Sequence, residues 1–192
     1  MLISIVGKSG SGKSYIANTL ASYTSNALHI NIDDISHQIL RQQSVKQRLI
    51  DTFGQNIIVG NEINRNKLGH IVFNSIDDMQ KLTDITWENM EKLIDQIIDS
   101  NPNKVVILDW ILLPKTKYFK SSNLKILVDA PVKVRIERAI RRDKITPEKF
   151  LERERASLDF SNYQFDYIID NSNIMKTKEK VKKIYDKSII SG

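Results

Sequence analysis

"LISIVGKSGSGKSYIANTL", residues 2–20, passes from an apolar run through a loop of glycine and serine into a helical pattern. Leu2 to Val6 is rich in β-branched residues, as a strand buried in a parallel sheet requires. From Ser14 onward Ile16, Ala17 and Leu20 recur at helical spacing. Between the two, Gly7, Gly12, Lys13 and Ser14 fit G-x-x-x-x-G-K-[ST], a loop that follows a strand, opens a helix and surrounds a polyphosphate with backbone N–H groups. Its glycines allow the tight turn, and the N-terminus of the next helix adds partial positive charge. Lys13 is expected to reach the terminal phosphates, and the Ser14 hydroxyl to ligate Mg²⁺.

A chain of 192 residues, 41% of them hydrophobic, makes one domain with room for a small insertion. No apolar run approaches the length of a membrane-spanning helix. The absence of cysteine excludes disulfides, thiolate metal sites and thiol catalysis, and nothing at the N-terminus resembles a signal peptide, so a cytoplasmic enzyme is expected. A formal net charge of +6 suits a partner carrying several phosphates, but Lys, Ile and Asn are abundant throughout, which explains the charge as compositional drift. The basic segment "TKEKVKKIYDKSII", with Val181, Ile184 and Tyr185 available for packing, reads as a solvated helix. Neither nucleic acid nor a membrane is expected as a partner, and the oligomeric state is left open.

Further strands are expected at 27–32, 104–109, 124–129 and 166–170, which with the first makes five. Amphipathic segments at 65–73 and 86–98 alternate with them, the second presenting Trp87, Met90, Ile94 and Ile97 on one face. "SNPN" at 100–103 ends that helix, and Thr146 and Pro147 cap and open another. Strands alternating with helices predict an α/β protein of three layers, a five-stranded parallel sheet covered on both faces.

A phosphate loop alone admits a GTPase switch, a motor, an ATP-driven machine or a small-molecule kinase. The guanine-reading N-K-x-D and the switch pattern D-x-x-G are both missing, and the chain is short for a motor, so a kinase is expected. Such a kinase needs a group beside the attacking hydroxyl, positive charge over the transferring phosphoryl and a closed acceptor pocket. Asp33, just after the second strand, is the candidate for the first, and its neighbour Asp34 for the cap of a helix beginning at Ile35. Asp109 ends the strand "VVILD", as a residue that holds a Mg²⁺-bound water or as a strand-end turn residue. Positive charge is expected from Arg135, Arg138 and Arg142 in "VRIERAIRRDK", where a short break before a new helix suggests a closing lid. Glu137 and Asp143 are alternative partners for these arginines in surface ion pairs.

The phosphate loop, "INIDDISHQIL" at 30–40, "FG" at 53–54, "INRNKL" at 63–68, "VDAP" at 128–131, "RAIRRD" at 138–143 and "DYIIDN" at 166–171 together resemble the dephospho-CoA kinase family in order and spacing. The resemblance implies transfer of the ATP γ-phosphoryl group to the ribose 3′-hydroxyl of dephospho-CoA, with Mg²⁺. The implied fold is the nucleoside-monophosphate-kinase type of P-loop domain over 1–192, with a helical acceptor-binding insertion at about 53–100 and a lid at about 138–150. Gly7, Lys8, Ser9, Gly10, Ser11, Gly12, Lys13, Ser14 and Tyr15 would contact ATP, joined by Arg142 and by Asn171, which falls in the loop bordering the adenine. Asp33, Lys13, Arg138 and Arg142 match the catalytic positions, Asp33 and Arg65 the acceptor side, and Ser14 and Asp109 the metal side.

The chain departs from the family pattern at Asn31, where an aspartate is usual, at Thr86 and Trp87 in place of His-Pro, at Ile111 and Lys115 in place of proline and glutamate, and at Arg155 in place of a glutamine. These departures concentrate on the acceptor side. They keep open two other readings: a kinase of another nucleoside or small metabolite, since "GKSGSGKS" also resembles uridine-kinase-like enzymes, and a nucleotide-binding protein with vestigial catalysis.

Overall fold

The computed structural model describes residues 1–72 and 75–190. Five parallel strands, β1 (Leu2–Val6), β2 (Ala27–Asn31), β5 (Val105–Asp109), β6 (Leu124–Asp129) and β7 (Tyr167–Asp170), form one sheet in the order β2-β5-β1-β6-β7. The five expected strands are all present, each within a residue of its expected ends. Ile3 is in register with Ile107 on one side and Leu124 on the other, so β1 lies centrally, with the strand order reversing around it. In an open parallel sheet the ligand crevice lies at such a reversal, beyond the carboxyl ends of the strands.

The sheet and its helices make one compact unit, Met1–Asn31 with Pro102–Gly192. Alternation along β1 sends Ile3 and Ile5 into a core with Ile16, Ala17 and Leu20 of α1 (Lys13–Ala21) and Val181 and Ile184 of α9 (Ile174–Tyr185). The opposite face of β1 carries Ser4, whose hydroxyl meets that of Ser122 at 2.7 Å, just past the short helix α6 (Lys117–Ser121). Helices α7 (Val132–Asp143) and α8 (Pro147–Arg155) pack on one another, with Lys144 in the left-handed region ending the first and the Thr146 hydroxyl capping the second.

The second compact unit, Ile32–Asn101, is helical. It contains α2 (Ile32–Leu40), α3 (Gln43–Phe53), a two-residue hairpin of β3 (Ile58–Val59) and β4 (Glu62–Ile63), α4 (Arg65–Val72) and the long α5 (Ile76–Asp99). Residue 73, the end of the expected 65–73 segment, lies outside the described residues. The helix expected over 86–98 begins ten residues sooner, because Ser75 caps the N–H of Asp78 and the apolar stripe extends back to Ile85. Ile85, Met90 and Ile94 are its buried stripe, while Trp87 and Ile97 are only half-buried. The expected insertion from about 53 lies inside this larger unit, which also includes α2 and α3.

Candidate active site

Two glycines of the phosphate loop show why its sequence is so constrained. Gly10 has φ 77° and Gly12 φ 91°, both in the left-handed region. A Cβ at Gly10 would stand 2.3 Å from the Arg135 carbonyl oxygen, and one at Gly12 would stand 2.1 Å from Asn171 Nδ2. Gly12 is also the residue from which α1 starts, so the loop delivers the helix N-terminus directly to its concavity.

Around the loop stands a brace of polar side chains. Arg138 Nη2 donates to the Asn171 carbonyl at 2.8 Å, and its Nη1 lies 3.5 Å from the Gly10 carbonyl and 3.4 Å from that of Ser11. Asn171 Nδ2 donates to the Ser11 carbonyl at 2.8 Å. The Asn171 side chain, expected near an adenine, is thus engaged through Nδ2 with the loop while its Oδ1 accepts no hydrogen bond, and the residue is only 2% exposed. Arg142 lies further out, its guanidinium on Asp143 at 2.7 and 2.9 Å with Nη2 3.5 Å from Ser9 Oγ. The surface ion pair considered for this arginine is therefore present, and it holds the Asp143 carboxyl below its ordinary range.

Glu154 of α8 was not singled out in the sequence. Its carboxylate accepts from Arg135 Nη1 and Nη2 at 2.7 and 2.8 Å and from Lys8 Nζ at 3.0 Å, which joins α8 to α7 and to the loop. Arg135 in turn donates through Nε to the Ala130 carbonyl at 3.0 Å and is only 3% exposed. The Arg135 guanidinium first, and Lys8 second, hold the Glu154 carboxyl down to about 2. The signal available for this triad was a glutamate within "KFLERER", where charges on every side obscure a single partner.

At the carboxyl end of β5, Asp109 is fully buried, and neither of its oxygens accepts a hydrogen bond. Lys13 Nζ stands 4.0 Å from Oδ1 and His29 Nε2 3.5 Å from Oδ2. A buried carboxylate in this state is costly unless a cation completes it. The arrangement fits Mg²⁺, a hard cation that takes one or two carboxylates, a hydroxyl and substrate phosphates rather than an all-protein cage. Among the described residues no group of three or more His, Cys, Asp or Glu is gathered for a metal.

The residues expected on the acceptor side, Asp33 and Arg65, belong to the helical unit. Helix α2 begins at Ile32, so Asp33 and Asp34 both occupy its first turn and neither is the cap of a helix starting at Ile35. The strand β2 runs into α2 with no intervening loop, and this continuity moved the boundary. Arg65 is the first residue of α4 and is exposed. A cation at that end is disfavoured by the helix dipole, so local stability does not account for it.

A family model described as dephospho-CoA kinase matches residues 1–177. The chain belongs to the dephospho-CoA kinase family. It is 32% identical to the dephospho-CoA kinase of Aquifex aeolicus, the match covering 96% of this chain and 95% of that one. It is 29% identical to that of Helicobacter pylori strain J99, over 98% and 97%. Among solved structures, TT1252 from Thermus thermophilus superposes with TM-score 0.85 at 22% identity, covering 98% and 97%, and a dephospho-CoA kinase from Campylobacter jejuni with 0.70 at 22%, covering 100% and 98%. At those identities the structures speak for the P-loop kinase fold. As a dephospho-CoA kinase family member the chain is an ATP-dependent phosphotransferase of coenzyme A synthesis, and among its described residues no helix is long and apolar enough to cross a membrane.

Proposed function

We propose that this chain transfers the ATP γ-phosphoryl group to the ribose 3′-hydroxyl of dephospho-CoA, in the cytoplasm and with Mg²⁺. The observation that carries the reading is the braced phosphate loop with buried Asp109 beside Lys13, in a chain that matches the family model over residues 1–177. Lys13 and the loop N–H groups bind the phosphates of ATP and hold the γ-phosphoryl in line. Asp33 orients the acceptor hydroxyl and takes its proton as the new P–O bond forms. Arg142, whose guanidinium lies on Asp143 and near Ser9 at the loop's rim, swings to meet developing charge on the phosphoryl oxygens. Arg138 acts from its place on the loop carbonyls, and the segment 138–150 serves as lid. Ser14 and Asp109 would hold Mg²⁺, which would neutralise charge on the phosphates. Arg65 binds the acceptor within a helical insertion of about 53–100.

A second reading, phosphorylation of another nucleoside or small metabolite, is favoured by the acceptor-side departures. The Thr86 hydroxyl, for instance, bonds back to the Leu82 carbonyl at 2.8 Å inside α5 rather than facing outward as a ligand. Coupled ADP release, measured with dephospho-CoA and with a panel of nucleosides and small alcohols at equal concentration, tests the two. Faster turnover on dephospho-CoA is expected. Turnover on a nucleoside alone transfers the assignment to the second reading, and ATP binding without turnover on any acceptor reduces the chain to a binding protein.

A further inference from the structure

His29 interrupts the apolar strand "ALHINI", and no step above uses it. Its ring is mostly buried, 14% exposed, and bridges two elements. Nδ1 lies 2.9 Å from Asn18 Oδ1 on α1, and Nε2 lies 3.5 Å from Asp109 Oδ2. Nε2 is buried and has no hydrogen-bond partner, and neither has Oδ2. A neutral ring with its proton on Nδ1 would aim a lone pair at the carboxylate. Turning the Asn18 amide so that its NH₂ donates to Nδ1 avoids this and places the ring proton on Nε2, between Nε2 and Oδ2, since amide and ring orientations follow from the whole hydrogen-bond network.

We propose that His29 is a positioning residue for the metal side of the phosphate site: held by Asn18, it donates through Nε2 to Asp109 Oδ2 and so presents Oδ1 toward Lys13 and the Mg²⁺-bound nucleotide. The distance of 3.5 Å lies just beyond a hydrogen bond, and a small rotation of the Asp109 carboxylate closes it. The two oxygens then have separate tasks: Oδ1, 4.0 Å from Lys13 Nζ, serves the site, and Oδ2 is fixed from behind. Outer partners of metal-binding groups commonly matter by roughly 10- to 100-fold in metal affinity or activity. The inference rests on reading the phosphate loop as a Mg²⁺·ATP site.

The test is calorimetric binding of ATP with Mg²⁺ and with the metal chelated, on the parent, His29→Leu and His29→Gln. In the parent Mg²⁺ should tighten ATP binding. His29→Leu should diminish that Mg²⁺-dependent gain about 10-fold while metal-free ATP binding stays within about twofold, a split that loss of folding or of loop shape does not produce. His29→Gln, which keeps a donor near Nε2, should recover most of the gain. In an Asp109→Asn background His29→Leu should have no further effect, because its target is gone. Equal losses with and without Mg²⁺, or an unchanged gain in His29→Leu, would overturn the proposal. Tight ATP binding by the parent with no response to Mg²⁺ would instead refute the metal reading of Ser14 and Asp109, and the role of His29 with it.

Discussion

In the sheet unit, side chains around the phosphate loop are spent on the loop and its brace: Arg138 on the carbonyls of Gly10, Ser11 and Asn171, Asn171 on that of Ser11, Glu154 on Lys8 and Arg135. In the helical unit the corresponding candidates, Asp33 and Arg65, are exposed at the starts of helices. A phosphate group is the same in every substrate of this kind, so its site can be fixed in advance by backbone and brace. An acceptor differs from enzyme to enzyme, and the residues proposed to contact it are exposed side chains in the first turns of helices. The departures from the family pattern spare the loop and its brace, although Asn31, Ile111, Lys115 and Arg155 lie in the sheet unit and only Thr86 and Trp87 in the helical one.

The sharpest way to break the comparison is Lys13→Ala. A preorganised loop concentrates its effect in one cation that touches phosphate in ground and transition state, so the variant should weaken ATP and lower kcat by about 10³-fold or more, read by coupled ADP release. Kinetics like the parent's would remove the phosphate assignment and the comparison together. Asp33→Asn comes next, with kcat on dephospho-CoA expected to fall by about 10³-fold, inside the range of general-base effects, while ATP binding is unchanged. Asp34→Asn is its control. Both residues stand in the first turn of α2, so each substitution forfeits the same modest interaction with the helix dipole, and only Asp33→Asn should lose rate. Loss of rate in Asp34→Asn alone would assign the proton to the other carboxylate.

Arg142→Ala should reduce kcat by about 10²-fold with little effect on ADP affinity, as for removal of one donor from developing transition-state charge. Its ion pair with Asp143 is exposed, so thermal stability should barely move.

The smallest effect on chemistry and the clearest on stability belongs to the brace. Glu154→Gln leaves the buried Arg135 guanidinium without its counter-charge and should cost about 3 kcal/mol in denaturant unfolding. The pH dependence has a definite sign. Folding lowers the Glu154 carboxyl from its ordinary 4.5 to about 2, so its contribution is complete above pH 4.5 and fades as pH falls from there toward 2. The parent should therefore lose its advantage over Glu154→Gln across that interval, and a constant gap between them would mean that the triad is not ionised as described.

What could be read from the sequence follows from the range of the interactions involved. The phosphate loop was legible because strand, glycines, lysine and helix start are consecutive in sequence. The central strands β1 and β5 were legible because burial on both faces leaves a continuous apolar run, and the flanking strands because short apolar runs alternate with helical segments. The start of α2 was misplaced at Ile35 because helix boundaries are usually marked by a loop, and here Asn31 of β2 is followed at once by the helix. Glu154, Asn171 and His29 acquire their roles from partners 146, 160 and 11 residues away in sequence, for which no spacing rule exists. Arg135 and Arg138 were picked out as a helical series, but the spacing could not tell that the first is buried in a structural ion pair while the second grips loop carbonyls.

The most direct measurement is ³¹P NMR of the product formed from ATP and dephospho-CoA. The account predicts a new phosphomonoester signal, growing in step with ADP, with the diphosphate signals of the acceptor retained and the new signal abolished by a 3′-specific nucleotidase. ADP release without a new monoester, or a monoester that forms only when a nucleoside replaces dephospho-CoA, would contradict it.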